Sequence, residues 1–265
     1  MGFPKIMGIL NVTPDSFSDG GMFVDPFAAI KWGIKLLDDG ADMLDIGGES
    51  TRPGSEPVSI TEELRRVVPV IEGIKQERPE AIISIDTMKY EVAEAAISAG
   101  ASIINDVSGL QNDIRLASLA AEKNCALIVT HMQGTPKTMQ INPTYENVVE
   151  EIFEFLQNRI EIARKFGVQT VIADVGIGFG KTVEHNWELL RNLKRFYDLK
   201  VPLLLGISRK SFIGKTLNID NPIERDLPTL LIHTLLLNQK IDIIRVHNVH
   251  QFQMLKQLYR KIYEN

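Results

Sequence analysis

Short apolar runs recur along the chain at regular intervals. Each has four to six residues rich in Ile, Val and Leu, and is nearly continuous rather than alternating with polar positions. This pattern is typical of a strand buried on both faces. Eight such runs occur, at residues 5–10, 42–47, 81–86, 102–107, 125–130, 169–174, 201–206 and 241–246. They predict eight strands of a parallel sheet.

Longer stretches with helical spacing separate these runs. Glycine, which is common just past a helix end, closes three of them at Gly40, Gly100 and Gly167. The stretch that starts near Ser59 opens with hydroxyl and acidic residues, which suit a helix N-terminus. Eight strand–helix units predict an α/β fold, a single (β/α)8 TIM barrel, as one domain over residues 1–265. A doubly wound open sheet is the alternative.

Polar side chains follow the predicted strands at their C-terminal ends, where the loops of a barrel build the active site. Small caps are ordinary there, and for each carboxylate a structural salt bridge or cap stays open. Long cationic side chains at these positions are not explained by helix capping. Acceptors and cations occur together at these ends: Asn11, Asp86, Asn105 and Asp174 with Arg52, Lys210, Arg245 and His247. We therefore expect a site for a flat, hydrogen-bonding, anionic ligand.

The composition excludes some classes of binding partner but says little about the fold. A formal charge of −5 and a pI near 5.6 argue against a general nucleic-acid or membrane-surface role. Cys125 is the only cysteine, which excludes an intramolecular disulfide framework and fits a reducing cytoplasm. Neither a signal region nor 18 consecutive apolar residues occur, so we expect no membrane association.

Two phosphate-binding motifs fail in the glycine-rich stretch at residues 175–182. A P-loop would need glycine where Val175 stands, and the dinucleotide motif would need glycine where Lys181 stands. The glycines of this stretch therefore indicate another use.

Eight strings, one per strand end, resemble the motif series of the dihydropteroate synthase family in the same order. They are "MGILNVTPDSFSDGG", "DIGGESTRPGS", "ISIDT", "INDVSG", "HMQGTPKTMQ", "GIGFGKT", "SRKSFIG" and "RVHNV". The resemblance runs from residue 7 to about residue 250. It implies a transferase that joins 6-hydroxymethyl-7,8-dihydropterin pyrophosphate to p-aminobenzoate, giving 7,8-dihydropteroate and pyrophosphate in folate biosynthesis.

The resemblance assigns the pterin to five residues. A pterin carries a 2-amino-4-oxopyrimidine edge, and a carboxylate can accept its amine and ring N–H in a two-pronged contact. Asp174 matches the residue that makes this contact, and Asp86 and Asn105 match other residues along the edge. Met132 also matches a pterin-binding position. Lys210 matches the lysine that reaches the pterin carbonyl side and borders the p-aminobenzoate pocket.

The pyrophosphate is assigned, by the same resemblance, to Asn11, Arg245 and His247. The implied cofactor is Mg²⁺, contacted by Asn11; magnesium commonly uses few protein ligands and completes its shell with substrate phosphates. Charge neutralisation would then help pyrophosphate to leave. The catalytic residues that the resemblance implies are Asp19, Asp86, Lys210 and Arg245.

The stretch "TPDSFSDGG" after the first strand holds two acids and no Lys or Arg. In the family, C–O cleavage leaves a cationic pterin methylene, and mobile loops shield it until the aniline amine attacks. The resemblance therefore implies a lid that brings Asp19 near the developing cation. A solvated loop is the alternative, and it explains the glycines but not the lack of basic residues.

The p-aminobenzoate pocket is implied by the second loop and two later motifs. Thr51, Arg52 and Pro53 of "STRPG" would surround this substrate. Phe179 and Ser211 match the remaining pocket residues.

Three residues depart from the usual family pattern, namely Val175, Pro228 and Asn248, which stand where Pro, Gly and Asp are usual. Loss of the charge at 248 could alter the orientation of His247. The departures question catalytic rate and dimer packing more than substrate class.

Two alternative functions are weighed against the same motifs, and the family resemblance also implies a homodimer. A methyltetrahydrofolate:corrinoid methyltransferase shares the pterin barrel but lacks the "STRPG" and "SRKSFIG" loops. An inactive pterin-binding paralogue should have lost residues of the first loop or the anion site, and none is lost here. The family forms homodimers, and the apolar stretch "LPTLLIHTLLLN" predicts a dimer helix at residues 227–238.

Overall fold

The barrel is closed by parallel pairing of its first and last strands. The computed structural model describes residues 2–13, 25–52 and 54–263, and in these ranges eight strands follow one another around the barrel in chain order. They are β1 (Lys5–Asn11), β2 (Met43–Gly47), β3 (Ile83–Asp86), β4 (Ile103–Asp106), β5 (Ala126–Thr130), β6 (Val171–Asp174), β7 (Leu203–Leu205) and β8 (Ile243–Val246). Because β1 also pairs with β8, the predicted TIM barrel is confirmed and the open sheet is wrong.

Apolar side chains cover both faces of the strands. Those that point inward fill the barrel interior, and those that point outward pack against the helices. The inner layer consists of Met7, Met43, Ile103, Ile128, Ile172, Leu204 and Ile243. A strand with no solvated face cannot alternate between apolar and polar residues, which explains the continuous runs in the sequence.

The helices surround the barrel, and several begin at a capping side chain. The Ser59 hydroxyl accepts from the Glu62 amide at 3.2 Å, and Thr182 and His185 form a capping box. The α-helices are α1 (Pro26–Asp38), α2 (Ile60–Glu77), α3 (Tyr90–Ser98), α4 (Arg115–Glu122), α5 (Val148–Lys165), α6 (Val183–Arg191), α7 (Ser211–Leu217), α8 (Asp226–Leu235) and α9 (Val249–Tyr263). Within the described ranges, no helix has the length and apolar character needed to cross a bilayer.

The seventh unit has two α-helices where the sequence predicts one. α7 ends after two turns because Asn218 adopts a left-handed conformation with φ of 56°. The short 3-10 helix Pro222–Arg225 then leads into α8. Pro228 lies in the first turn of α8, where a backbone N–H has no helical partner to lose.

Strand register brings the polar strand ends together. Asp86 at the end of β3 lies opposite Gly47 of β2 and Asn105 of β4. Asp174 at the end of β6 lies opposite Thr130 of β5. The C-terminal mouth of the barrel is therefore the place where the predicted site residues meet.

Candidate active site

One guanidinium joins three strands across the barrel mouth. Arg245 of β8 donates through Nε to Asp45 Oδ2 at 2.5 Å and through Nη2 to Asp86 Oδ2 at 2.8 Å. Asn105 Nδ2 donates to the same Asp45 oxygen at 3.0 Å. Asp86 thus forms the salt bridge that the sequence left open as an alternative. Asp45, which the sequence analysis did not select although it lies in β2 near the predicted rim, is fully buried and organises this group.

Two carboxylate oxygens of this group lack hydrogen-bond donors. Asp45 Oδ1 and Asp86 Oδ1 are buried, and neither has a partner among the described residues. A buried acceptor without a donor is costly, and a ligand with N–H groups would remove that cost. The mouth is therefore suited to a ligand rich in hydrogen-bond donors.

Asp86 is poised to titrate near neutrality. Burial and the neighbouring Asp45 carboxylate, opposed by Arg245, together raise its pKa to about 7. Glu63 also raises it. Two carboxylates share one guanidinium here, so the attraction of Arg245 cannot fully compensate both.

Asp174 and Lys210 are buried at the mouth and act on each other electrostatically. Burial raises the pKa of Asp174, and the positive charge of Lys210 opposes the rise. Burial lowers the pKa of Lys210 to about 8, with Asp174 opposing that shift. Asp174 Oδ1 accepts from the Gly176 amide at 2.8 Å, and Lys210 Nζ donates to the Ile177 carbonyl and lies 4.3 Å from the centroid of the Phe179 ring. The predicted Phe179, Asp174 and Lys210 are thus brought together.

Lys181 shapes the loop that carries Phe179, and sequence reasoning considered it only as a position in motifs that fail. Its buried Nζ donates to the carbonyls of Gly176 at 2.8 Å and Phe179 at 2.9 Å, and contacts His131 Nδ1 at 2.9 Å. Burial lowers the pKa of Lys181 well below its usual value and that of His131 to about 2. Gly176 is required because its φ is 68° and a Cβ would lie 1.9 Å from the His131 carbonyl oxygen.

His247 lies beside Arg245 but carries no charge of its own at neutral pH. Burial lowers its pKa to about 3, and Arg209 and Arg245 add to this. Its backbone N–H and Nδ1 both lie within hydrogen-bond distance of Ser208 Oγ, at 3.1 and 2.9 Å. The imidazole can therefore contact an anion as a hydrogen-bond donor rather than as a cation.

The departure at Asn248 is balanced by a carboxylate from α8. Asn248 Nδ2 donates to Asp226 Oδ2 at 3.1 Å, and Arg209 binds both oxygens of Asp226 at 2.6 and 2.8 Å. Asp226 thus supplies a negative charge that acts electrostatically on His247. The amide at position 248 donates to this carboxylate, which an aspartate there could not do when ionised.

The remaining predicted residues surround this centre in part. Asn11 ends β1, Met132 is buried after β5, and Ser211 starts α7. Thr51 and Arg52 lie in the β2–α2 loop at the mouth. Pro53 and Asp19 lie outside the described residues, as does the rest of the first loop at 14–24.

Metal-binding groups are sparse at this mouth. In the part of the chain that the structure describes, no cluster of three or more His, Cys, Asp or Glu side chains could hold a metal ion. The half-buried Asn11 side chain makes no hydrogen bond to another side chain among the described residues. Such a site fits an ion held by one protein ligand and substrate oxygens, not one held by a protein cage.

A family model described as "Pterin binding enzyme" matches residues 7–247. The dihydropteroate synthase of Clostridium beijerinckii is 46% identical over 248 residues, which are 92% of this chain and 88% of that protein.

Solved structures with the same fold agree. The Xanthomonas albilineans dihydropteroate synthase with 4-aminobenzoic acid has a TM-score of 0.91 and 40% identity over 98% of this chain and 93% of that one. The Clostridium difficile dihydropteroate synthase in the presence of pteroic acid has a TM-score of 0.91 and 43% identity over 99% and 98%.

We predict that Asp86 makes stability fall as pH rises towards neutrality. Its raised pKa means that the folded protein holds a proton that the unfolded chain has released between about pH 4 and pH 7, so the stabilisation present at low pH is lost across this window. Urea unfolding of wild type and Asp86→Asn should therefore give a free-energy difference that shifts in favour of the variant as pH rises. Asp113→Asn is the control. The hydrogen bond from Arg115 lowers the pKa of Asp113, so this carboxyl group does not titrate between pH 4 and pH 7. Parallel profiles for wild type and Asp86→Asn would contradict the prediction.

Proposed function

This chain belongs to the dihydropteroate synthase family, and on that basis we propose how its barrel mouth condenses 6-hydroxymethyl-7,8-dihydropterin pyrophosphate with p-aminobenzoate. The enzyme is a transferase that releases 7,8-dihydropteroate and pyrophosphate. The observation that carries the assignment of residues is the set of buried acceptors at the mouth beside Arg245 and Lys210, two of whose oxygens have no donor among the described residues.

The pterin lies against the acceptors. Its amine and ring N–H groups bind Asp174, whose Oδ1 is already oriented by the Gly176 amide. The free oxygen of Asp86 and the amide of Asn105 serve the rest of the polar edge. Met132 supplies buried apolar surface nearby. Lys210, whose ammonium lies close to Asp174, donates to the carbonyl side of the ring.

The p-aminobenzoate lies between the β2–α2 loop and the β6–α6 and β7–α7 loops. Phe179 provides an aromatic face held by Lys210. Ser211 and Thr51 provide hydroxyls, and Arg52 provides the cation that its carboxylate needs. Pro53, outside the described residues, is proposed as the fifth member of this pocket.

The pyrophosphate lies between Asn11, Arg245 and His247. Arg245 uses two of its nitrogens on Asp45 and Asp86, and within the described ranges Nη1 has no recorded partner, which leaves a donor for an anion. His247 adds a neutral N–H. Asn11 is the residue that would hold Mg²⁺, which, when bound with the substrate, neutralises charge on the pyrophosphate oxygens.

The reaction needs little acid–base chemistry from the chain. The C–O bond to pyrophosphate breaks with its electron pair, and the pterin keeps a cationic methylene. The lone pair of the neutral aniline nitrogen then forms the C–N bond to this carbon, and the nitrogen passes one proton to the released pyrophosphate. Asp86 and Asp174 stabilise positive charge on the pterin, while Arg245 stabilises negative charge on the leaving group. Asp19, which lies outside the described residues, is proposed to face the cation from the first loop.

We predict that Asp174→Ala loses the two-pronged pterin contact. Truncating such a buried charged contact should cost about 2–5 kcal/mol of pterin binding, measured by calorimetry. Near-wild-type pterin affinity in the variant would place the pterin edge elsewhere.

A coupled assay of pyrophosphate release with both substrates and Mg²⁺ tests the activity itself. The wild type should show turnover that depends on p-aminobenzoate. No such release by wild type would mean an inactive pterin-binding paralogue.

We predict that Arg245→Ala weakens binding of the pterin pyrophosphate far more than binding of the unphosphorylated pterin. The reason is that the pyrophosphate loses its cation, whereas both ligands lose the effect of Arg245 on Asp45 and Asp86. Calorimetry with the two ligands separates these effects. Equal weakening of both would mean that Arg245 only organises the carboxylates.

A homodimer is proposed through α8. Its side chains Leu227, Leu231 and Leu235, spaced four residues apart, are 57, 53 and 79% exposed. The alternative that this stripe packs on its own barrel does not account for them. Apolar area of this kind favours a second copy of the chain.

We predict a dimeric mass by light scattering at micromolar concentration and a monomeric mass for Leu231→Glu, because a buried unpaired charge disfavours association. Leu217→Glu, at an exposed leucine of α7, is the control and should stay dimeric. A monomeric wild type would reject the dimer.

A further inference from the structure

A buried ionic cluster lies at the root of the β2–α2 loop, outside the proposed contacts with substrate. Lys89 Nζ donates to Glu63 Oε2 at 2.5 Å, to Glu49 Oε2, and to the Val58 carbonyl at 2.8 Å. The side chains of Glu63, Glu49 and Lys89 are only 1, 9 and 19% exposed. Ion pairs this deep are uncommon, and breaking one by removing a partner is strongly unfavourable.

The cluster joins both ends of one loop to two neighbouring elements. Glu49 follows β2, and its Oε2 also accepts from the Val58 amide at 2.9 Å, so the start and end of the loop are tied together. Glu63 belongs to α2, and Lys89 directly precedes α3. The Lys89 ammonium therefore holds both ends of the loop, and Arg66, whose Nη1 donates to the Gly48 carbonyl at 2.7 Å, adds a second contact at its start.

The same cluster reaches the end of β3. Thr87 Oγ1 donates to Glu63 Oε1 at 2.7 Å, one residue after Asp86. A small cavity at this point is lined by Glu49, Thr51, Glu63, Asp86, Thr87 and Lys89 among others. The cluster and the proposed site are thus in direct contact.

Among the described residues, Lys89 is the only cation within salt-bridge distance of Glu49 and Glu63. Burial raises the pKa of Glu63, and the hydrogen bond from Lys89 opposes the rise. Without the ammonium, the carboxylates of Glu49 and Glu63 would repel each other at a buried, poorly solvated site. Separation of the two carboxylates would move Glu49, and with it the start of the loop.

The outer part of the loop is held more weakly. The Gly54 amide donates to the Pro136 carbonyl at 3.0 Å, and Lys137 pairs with Glu56 at 2.8 Å with both side chains well exposed. Exposed pairs contribute little. Ser55 Oγ donates to the Ser50 carbonyl at 2.6 Å, which fixes the shape of the loop itself. The position of Thr51 and Arg52 relative to the barrel therefore depends mainly on the root of the loop.

We propose that Lys89 is a positioning residue for p-aminobenzoate: by clamping Glu49, Val58 and Glu63 it holds the loop that presents Thr51 and Arg52 to this substrate. This inference rests on the proposed function of that loop. It predicts a larger effect on the KM for p-aminobenzoate than on the KM for the pterin pyrophosphate.

The test is Lys89→Met, which keeps the length of the side chain and removes its charge. The KM for p-aminobenzoate should rise about tenfold or more, because small displacements of positioning groups are costly. The KM for the pterin pyrophosphate should rise by a few-fold at most, since the cluster borders the pterin residues at Asp86 and not at Asp174 or Asn105. Hydrogen–deuterium exchange of the amides at 48–58 should also quicken in the ligand-free protein. Lys89→Arg should restore part of the affinity for p-aminobenzoate and part of the slow exchange at 48–58.

Lys256→Met is the matched control. Lys256 Nζ binds Asp42 at 2.9 and 3.0 Å in a partly buried pair beside the start of β2, at the opposite end of the barrel. Its loss should lower thermal stability and leave the ratio of the two KM values unchanged. If Lys89→Met does not fold, Glu49→Gln, which weakens only the arm to the loop, should give the same selective rise.

The outcomes separate the two ideas. An active wild type with equal changes in both KM values, or with unchanged exchange at 48–58 in folded Lys89→Met, would overturn the positioning role. Faster exchange at 48–58 together with an unchanged KM for p-aminobenzoate would also overturn it. A wild type without turnover of the two substrates would instead refute the proposed function, while the exchange experiment would still report on the clamp.

Discussion

The guanidinium of Arg245 between Asp45 and Asp86 is the interaction on which the barrel mouth depends. It crosses from β8 to β2 and β3, which only a closed barrel brings together. Three ionisable groups can be buried there because the guanidinium lies between the two carboxyl groups. The balance is incomplete, since one cation serves two carboxylates. Asp86 therefore has a raised pKa and, in the described part of the chain, an oxygen without a donor.

The loops around this centre are held by lysines that have no proposed contact with substrate. Lys181 satisfies the carbonyls of the β6–α6 loop, and Lys89 closes the β2–α2 loop. In both cases one ammonium collects several oxygens from segments distant in the chain. The backbone of each loop then has a defined place before a ligand arrives, which lowers the entropy that binding must overcome.

Strand and helix positions were predictable because burial imposes a period on the sequence. The apolar runs match all eight strands to within two residues, and capping residues such as Ser59 lie where α2 begins. The extra helix after β7 was not predictable in this way, because α7 is only seven residues long and its end depends on the conformation of Asn218. Short helices carry too little periodicity to be separated from loops.

Sequence alone determined the barrel, the edge of the barrel that carries the polar residues, and the family, since each depends on residue type and order along the chain. Tertiary structure decided which of these residues touch. Asp45 and Arg245 are 200 residues apart, and Asn248 and Asp226 belong to different elements, yet each pair is in contact. Charge balance and pKa depend on distances through space and on burial, and neither can be read from spacing along the chain.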